Sequence, residues 1–232
     1  MHDLRLPDTM EGLMTEWKNR IGQDEYFNAD GMIDPACWKE QKNGRRILFV
    51  LKETNNLKDE TNRKDISLTA WLMKEDSPKQ YGSVWPRIAE WWHAIEHAED
   101  SYTFYDATAA QAMLKHVAVM NLKKTPGGGS AKQDEVIQRI RDDWAYIQRE
   151  IELIDPDIIV FCGTWWMIET VRPEFKKQIP YTCFVKTAFP DRSGKERLLI
   201  DYWHPAARYP AVMMYYGIQG IYRAARAEAN KH

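Results

Sequence analysis

The sequence predicts an α/β/α layered domain with a mainly parallel central sheet of about four strands. Three observations carry that expectation. Amphipathic helical stretches alternate with short runs that are apolar throughout, the pattern of a sheet with helices on its faces. The run Ile-Ile-Val-Phe-Cys at 158–162 shows no alternation of apolar and polar residues, as expected of a strand covered on both sides. No internal repeat, low-complexity tract or long linker interrupts the chain, so residues 1–232 read as one domain with a sizeable core.

Each element has its own signal. Leu13, Met14, Trp17 and Ile21 fall at helical spacing, which predicts a first helix from about Thr9 to Arg20. Ile47–Leu51 is a short apolar strand that breaks into the polar turn Lys-Glu-Thr-Asn-Asn. Residues 65–74 and 83–98 read as helices, the second with Pro86 tolerated in its first turn. Asp106 is a candidate N-cap for a helix over 106–115. The strand Val117–Met120 follows, then Asn121, two lysines and three glycines. Residues 131–154 read as one long amphipathic helix stopped by Pro156. After the strand at 158–162 come a helix over 164–171, strands over 181–186 and 197–203, and a final helix over 210–230.

Composition narrows the function classes. Hydrophobic residues make up 44% and charged residues 28%, an ordinary globular balance. The longest apolar runs are far too short to span a bilayer, and the N-terminus has no apolar signal core, so the expectation is a cytoplasmic protein without a membrane partner. Cys37, Cys162 and Cys183 lie far apart without CxxC spacing, which argues against a disulfide framework or a four-cysteine cluster. In the strand-like runs of Cys162 and Cys183, a buried inert thiol is the simplest reading. The net charge of −2 gives no global basic signature, so a nucleic-acid partner needs a local patch. The 10 Trp and 11 Tyr exceed what solubility favours, and supply both core and stacking surface.

In parallel sheets, ligands sit beyond the carboxyl ends of the strands. The residues there are Lys52, Glu53, Asn55 and Asn56; Asn121, Lys123, Lys124 and Gly127–Gly129; and His204 and Arg208. Singly, each has a plain structural reading: a solvated turn carboxylate, a helix-capping histidine, an exposed lysine pair, a loose loop. Together they place a carboxylate, an imidazole, an amide and a cationic glycine loop at one edge. Glycine N–H groups and lysines suit phosphate oxygens, and an amide reads a base edge through its donor and acceptor. No metal-ligand spacing is read in the chain, so no metal or other cofactor is expected.

Three blocks resemble the uracil-DNA glycosylase superfamily in order and context, over most of residues 45–220: Ile-Leu-Phe-Val followed by Leu-Lys-Glu-Thr-Asn, then the run from Met120 through Pro-Gly-Gly-Gly to Asp-Pro-Asp-Ile-Ile-Val-Phe-Cys-Gly, then Tyr-Trp-His-Pro-Ala-Ala-Arg-Tyr-Pro. The middle block is the most specific. The resemblance implies a single domain of that fold and a monofunctional glycosylase that flips a base from DNA, duplex or single-stranded, and leaves an abasic site. It implies no obligate protein partner. Glu53 takes the position of the residue that places the hydrolytic water, and His204 that of the histidine contacting the base oxygen. Asn121 matches the base-reading asparagine, and Asn55 the position that screens substituents at C5 of the base. Lys124 matches a backbone-contacting lysine and Arg208 stands in place of a leucine wedge; Lys52, where iron–sulfur members have Glu, joins Lys123, Gly127 and Gly128 as candidate DNA contacts by their phosphate-binding chemistry. Trp85 is the candidate for stacking on the extruded base, with Tyr81 second; a core position on its helix suits Trp85 equally.

The chain departs from the uracil pattern at Leu51, Lys52, Thr54 and Asn55, and lacks the cysteines of the iron–sulfur members. The expectation therefore leans towards a modified pyrimidine, such as the glucosylated hydroxymethylcytosine of phage DNA, and an anti-phage defence role. The alternatives are DNA repair at uracil or another deaminated base, a non-catalytic nucleic-acid-binding module, and a hydrolase of small nucleosides or nucleotides.

Overall fold

The computed structural model describes residues 5–41, 45–55, 64–127, 132–176, 179–188 and 194–229. In chain order its elements are α1 (Met10–Ile21), β1 (Asn28–Ala29), β2 (Gly31–Met32), α2 (Pro35–Glu40), β3 (Ile47–Leu51), β4 (Ile66–Ser67), α3 (Leu68–Leu72), α4 (Val84–Glu96), α5 (Ala107–Leu114), β5 (Val117–Asn121), α6 (Gln133–Asp142), α7 (Trp144–Ile154), β6 (Ile158–Cys162), α8 (Trp165–Val171), β7 (Phe184–Thr187), β8 (Arg197–Tyr202) and α9 (Ala211–Ala229). Several boundaries follow from caps. Thr9 accepts the N–H of Gly12 at the start of α1, and Asp106 accepts that of Ala109 at the start of α5. Asp155 closes α7 in the left-handed conformation at φ 49°, and Pro156 forbids continuation.

The protein is of the α/β class, with a mostly parallel sheet in the order β2-β5-β3-β6-β8-β7. The four inner strands run parallel, with Ile47 opposite both Val117 and Ile158, and Ile158 opposite Leu198. Strands β2 and β7 add antiparallel edges, so the sheet is wider than the four strands expected. A two-residue strand such as β2 carries no periodicity of its own. It is held by position: Ile33 N–H donates to Val117 O and Asn28 N–H to Lys124 O, so residues 28–33 accompany β5 along its length.

Strand side chains alternate between two cores. Ile47, Phe49 and Leu51 pack with Val117, Val119 and the apolar faces of α4, α5 and α9. Leu48 and Val50 pack with Ala118, Met120 and the faces of α1, α6, α7 and α8. Helices thus cover both faces, and β3, β5 and β6 are buried end to end, whereas β8 is partly exposed at Leu198 and at its carboxyl end.

One expected helix is two. The stretch 131–154 breaks at Asp143, whose carboxylate accepts from Arg20 Nε at 3.0 Å and is buried. Aspartate is a poor mid-helix residue, and this anchor to α1 fixes the break. The helix expected over 65–74 is likewise shorter, because Ile66–Ser67 pairs with Asn28–Ala29 as a small parallel bridge. Cys162 is buried as expected, whereas Cys183 is only half-buried and sits at φ 64°. Among the described residues no helix is long and apolar enough to cross a membrane.

Candidate functional site

The carboxyl ends of β5, β3, β6 and β8 lie side by side. Beyond them, the segments after β3 and β5 stay paired. Lys123 N–H donates to Lys52 O at 2.9 Å, and Gly127 N–H to Thr54 O at 2.8 Å, closing a parallel bridge between Asn55 and Gly127. This paired extension positions Glu53. Its Oε2 accepts from Lys123 Nζ at 2.6 Å, and both side chains are almost wholly shielded from solvent. A Cβ at position 127 would overlap the Glu53 carboxylate, so the glycine is what lets the carboxylate lie against the backbone. Thr54, next along, accepts from the amide of the buried Asn28, pinning the loop from beneath.

His204 follows β8. Its Nδ1 accepts the N–H of Ala206 at 3.1 Å, which places the ring proton on Nε2 in the neutral form. Burial, with the nearby ammonium of Lys52, holds the imidazole below the ordinary histidine value. His204 is therefore a neutral hydrogen-bond donor through Nε2 at neutral pH. The repulsion from Lys52 shows that the residues after β3 and β8 are near neighbours. Between them Gly163, at φ 67°, ends β6 against the backbone of His204 and donates to Tyr202 O at 2.6 Å. Thr164 is buried and donates from Oγ1 to Val50 O at 3.1 Å, securing this loop to β3.

The other expected site residues divide. Asn55 and Arg208 are exposed at the same edge, and Lys52 is partly so. Gly128 lies outside the described residues, as do Asn56 and Gly129. Lys123 is committed to Glu53 rather than turned outward, and acts as a positioning group for the carboxylate. Lys124 is fully buried: it pairs with Asp30 and stands 2.7 Å from Glu150 Oε2, with the Trp17 ring 4.9 Å away. Desolvation opposes its charge, but the two carboxylates outweigh it and raise the lysine above its ordinary value. It has no surface to offer a phosphate. Asn121 is also buried, and both its backbone N–H and its side-chain amide donate to Asp30 Oδ2, at 2.7 and 3.0 Å. The side-chain donor that would read a base is thus engaged by Asp30. Trp85 belongs to the α4 core, edge-on to Tyr81, whose hydroxyl is spent on Leu72 O.

An aromatic surface occurs elsewhere. Trp203 is 54% exposed and Tyr209 47%, with ring centroids 5.1 Å apart, flanking His204 and Arg208 in the chain. Met213 and Tyr216, on α9, are exposed as well. The signal was present in the sequence as Tyr-Trp-His-Pro, where strand alternation turns Trp203 away from Tyr202. Asp201 is a second residue that pattern reading passes over. Burial, helped by Glu169, raises its carboxyl to about 6, and groups shifted in this way cluster at functional sites.

Chemically, the edge offers a fixed carboxylate, a neutral imidazole donor, a lysine beside it and an exposed pair of aromatic rings inclined at 58°. The chain matches no model of a known protein family. No curated protein matches it in sequence either.

Proposed function

We propose that the protein is a DNA glycosylase of uracil-DNA glycosylase-like, three-layered architecture, cutting the N-glycosidic bond of a flipped-out base to leave an abasic site. The observation that carries this reading is the pairing, at one sheet edge, of a carboxylate held by Lys123 and Gly127 with a neutral His204. Bond cleavage builds positive charge on the sugar and negative charge on the departing base. Glu53 stabilises the first and orients water through the oxygen that Lys123 does not take. His204 Nε2–H donates to the base oxygen as its charge develops, a preorganised contact of the oxyanion-hole kind. Trp203 and Tyr209 supply stacking for an unpaired base, and Arg208 binds phosphate or fills the vacated stack. The exposed, polar Asn55 leaves room at the position that would exclude a C5 substituent, which favours a modified pyrimidine over uracil as substrate.

The test is release of abasic sites from uracil-containing DNA, unmodified DNA, and phage DNA bearing hydroxymethylated or glucosylated cytosine, trapped with an aldehyde-reactive probe. We expect signal on the modified phage DNA. Glu53→Gln should reduce it by roughly 10²–10⁴-fold, and His204→Ala by about 10²–10³-fold, with DNA binding retained. Signal on uracil DNA alone would move the protein to repair. Binding without abasic sites on any DNA would favour a non-catalytic module, a reading to which the engagement of Asn121 with Asp30 lends weight.

A further inference from the structure

The last turn of α4 and the loop after it hold a group that the strand-end site does not use. His93 and His97 are four residues apart, so they stand one above the other on a helical face. Asp100 N–H donates to His97 O at 2.9 Å, which turns the chain back and brings the Asp100 carboxylate to both rings. Asp100 Oδ2 lies 4.0 Å from His93 Nε2 and 3.8 Å from His97 Nδ1, and one ligand atom from each residue lies within 4.8 Å of the others. His93 is buried, whereas His97 and Asp100 are exposed, so the group opens to solvent.

The remaining nitrogen of His93 is also accounted for. Its Nδ1 is 2.9 Å from the Tyr215 hydroxyl, which gives its own proton to Ser101 O at 3.3 Å. The tyrosine oxygen therefore accepts from His93 Nδ1–H, and the lone pair is left on Nε2, on the Asp100 side. A ligating histidine oriented through its second nitrogen is the usual arrangement of protein metal centres.

We propose that His93, His97 and Asp100 bind one divalent transition-metal ion of the zinc type, with Tyr215 as a positioning residue. Two imidazoles and one carboxylate suit such an ion, whereas magnesium and calcium require oxygen cages. Bonds of about 2.0–2.2 Å to a tetrahedral ion set ligand atoms roughly 3.3–3.5 Å apart. The two imidazoles are the most widely separated pair, and small rotations of the exposed His97 and Asp100 side chains bring both ligand atoms in towards His93 Nε2. Water fills the fourth position. The centre lies in the helical layer of α4 and α9: Arg45, just before β3, bonds Glu96 Oε1 at 2.9 Å at the end of α4, and Gln219 of α9 donates to Asp100 O at 2.8 Å. It shares no residue with the group of Glu53 and His204. Its role is to staple α4, the 97–101 turn and α9 together, and it stands whether or not the glycosylase reading does.

The test is equilibrium dialysis and calorimetric titration of the chelator-stripped full chain with zinc, and visible absorption with cobalt. We expect one ion per chain at micromolar ion, a tetrahedral cobalt spectrum, and a melting temperature raised by roughly 5–10 °C at a hundredfold excess over Kd. His97→Ala and Asp100→Asn, both at exposed positions, should each weaken binding roughly tenfold or more and cut the thermal shift at the same zinc concentration to about half or less, while circular dichroism stays unchanged. Tyr215→Phe should weaken binding roughly tenfold with stoichiometry kept. Absence of stoichiometric binding, or binding that His97→Ala and Asp100→Asn both leave unchanged, would overturn the proposal.

Discussion

Glu53 is held by what its neighbours lack as much as by what they provide. Lys123 supplies the countercharge and Gly127 supplies empty space. Gly127→Ala should therefore displace the carboxylate and cost activity roughly as Glu53→Gln does, about 10²-fold or more, with DNA affinity little changed; a steady-state assay beside a binding isotherm separates the two. For His204 the sign follows from its lowered value. The folded protein binds this proton less tightly than the unfolded chain does, so its contribution to stability is present above the ordinary histidine value and is lost as pH falls through the folded one. The ring stays neutral throughout the range above its ordinary value. The rate–pH profile there should show no limb that His204→Ala removes, only a uniform drop. Much of this was legible as Lys-Glu-Thr-Asn and Tyr-Trp-His-Pro. What was not legible was direction: a lysine next to a glycine loop reads as a phosphate ligand until the fold shows Lys123 turned to Glu53 and Lys124 turned inward.

Between β5, the 28–33 segment and α7 lies the ion group of Asp30, Lys124 and Glu150, every side chain wholly buried. One ammonium serves two carboxylates. Burial, then the proximity of Asp30, raises Glu150 well above the ordinary carboxylate value, with Lys124 only partly opposing. Glu150 therefore holds a proton more tightly than an ordinary glutamate does. The native state binds that proton more tightly than the unfolded chain, so stability falls as pH rises from the ordinary glutamate value towards the folded one. Glu150→Gln should remove that slope and be neutral or stabilising at neutral pH. Lys124→Ala should cost about 3–5 kcal/mol by leaving Asp30 uncompensated. Urea unfolding of both variants across pH checks the pair. Periodicity could not foresee the group. Lys124 and Glu150 are 26 positions apart in the chain, and nothing local to either announces the other.

At the scale of the molecule, the alternation of apolar runs with helices was enough to give the class and the strands β3, β5 and β6, because a both-sides-buried strand leaves an unbroken apolar run. The edges were harder to see. β2 is two residues long, and Asp143 divides a stretch whose apolar spacing is continuous. The aromatic rim also needed the fold, since only exposure distinguishes Trp203 from Trp85. Trp203→Ala should cost roughly 1–3 kcal/mol of affinity for single-stranded DNA, measured by fluorescence anisotropy, whereas Trp85→Ala should act on stability, by about 3–5 kcal/mol. The histidines of α4 show the same limit: their spacing is plain in the chain, but the return of Asp100 towards them is not.

The segment that accompanies β5 has one more consequence. Residues 28–33 occupy the outer side of that strand. Where pairing runs out, the Asp30 carboxylate takes the N–H of Asn121 that an incoming strand would need. A row of unmet backbone donors is a template on which another chain can polymerise, and an inward-facing charge is an effective block to it. Asp30 thus closes the end of β5 against recruitment into fibrils or exchanged dimers. If the protein self-associates through backbone pairing, the short β2 and the longer β7 are the edges that could do it, and β7 offers the longer ladder.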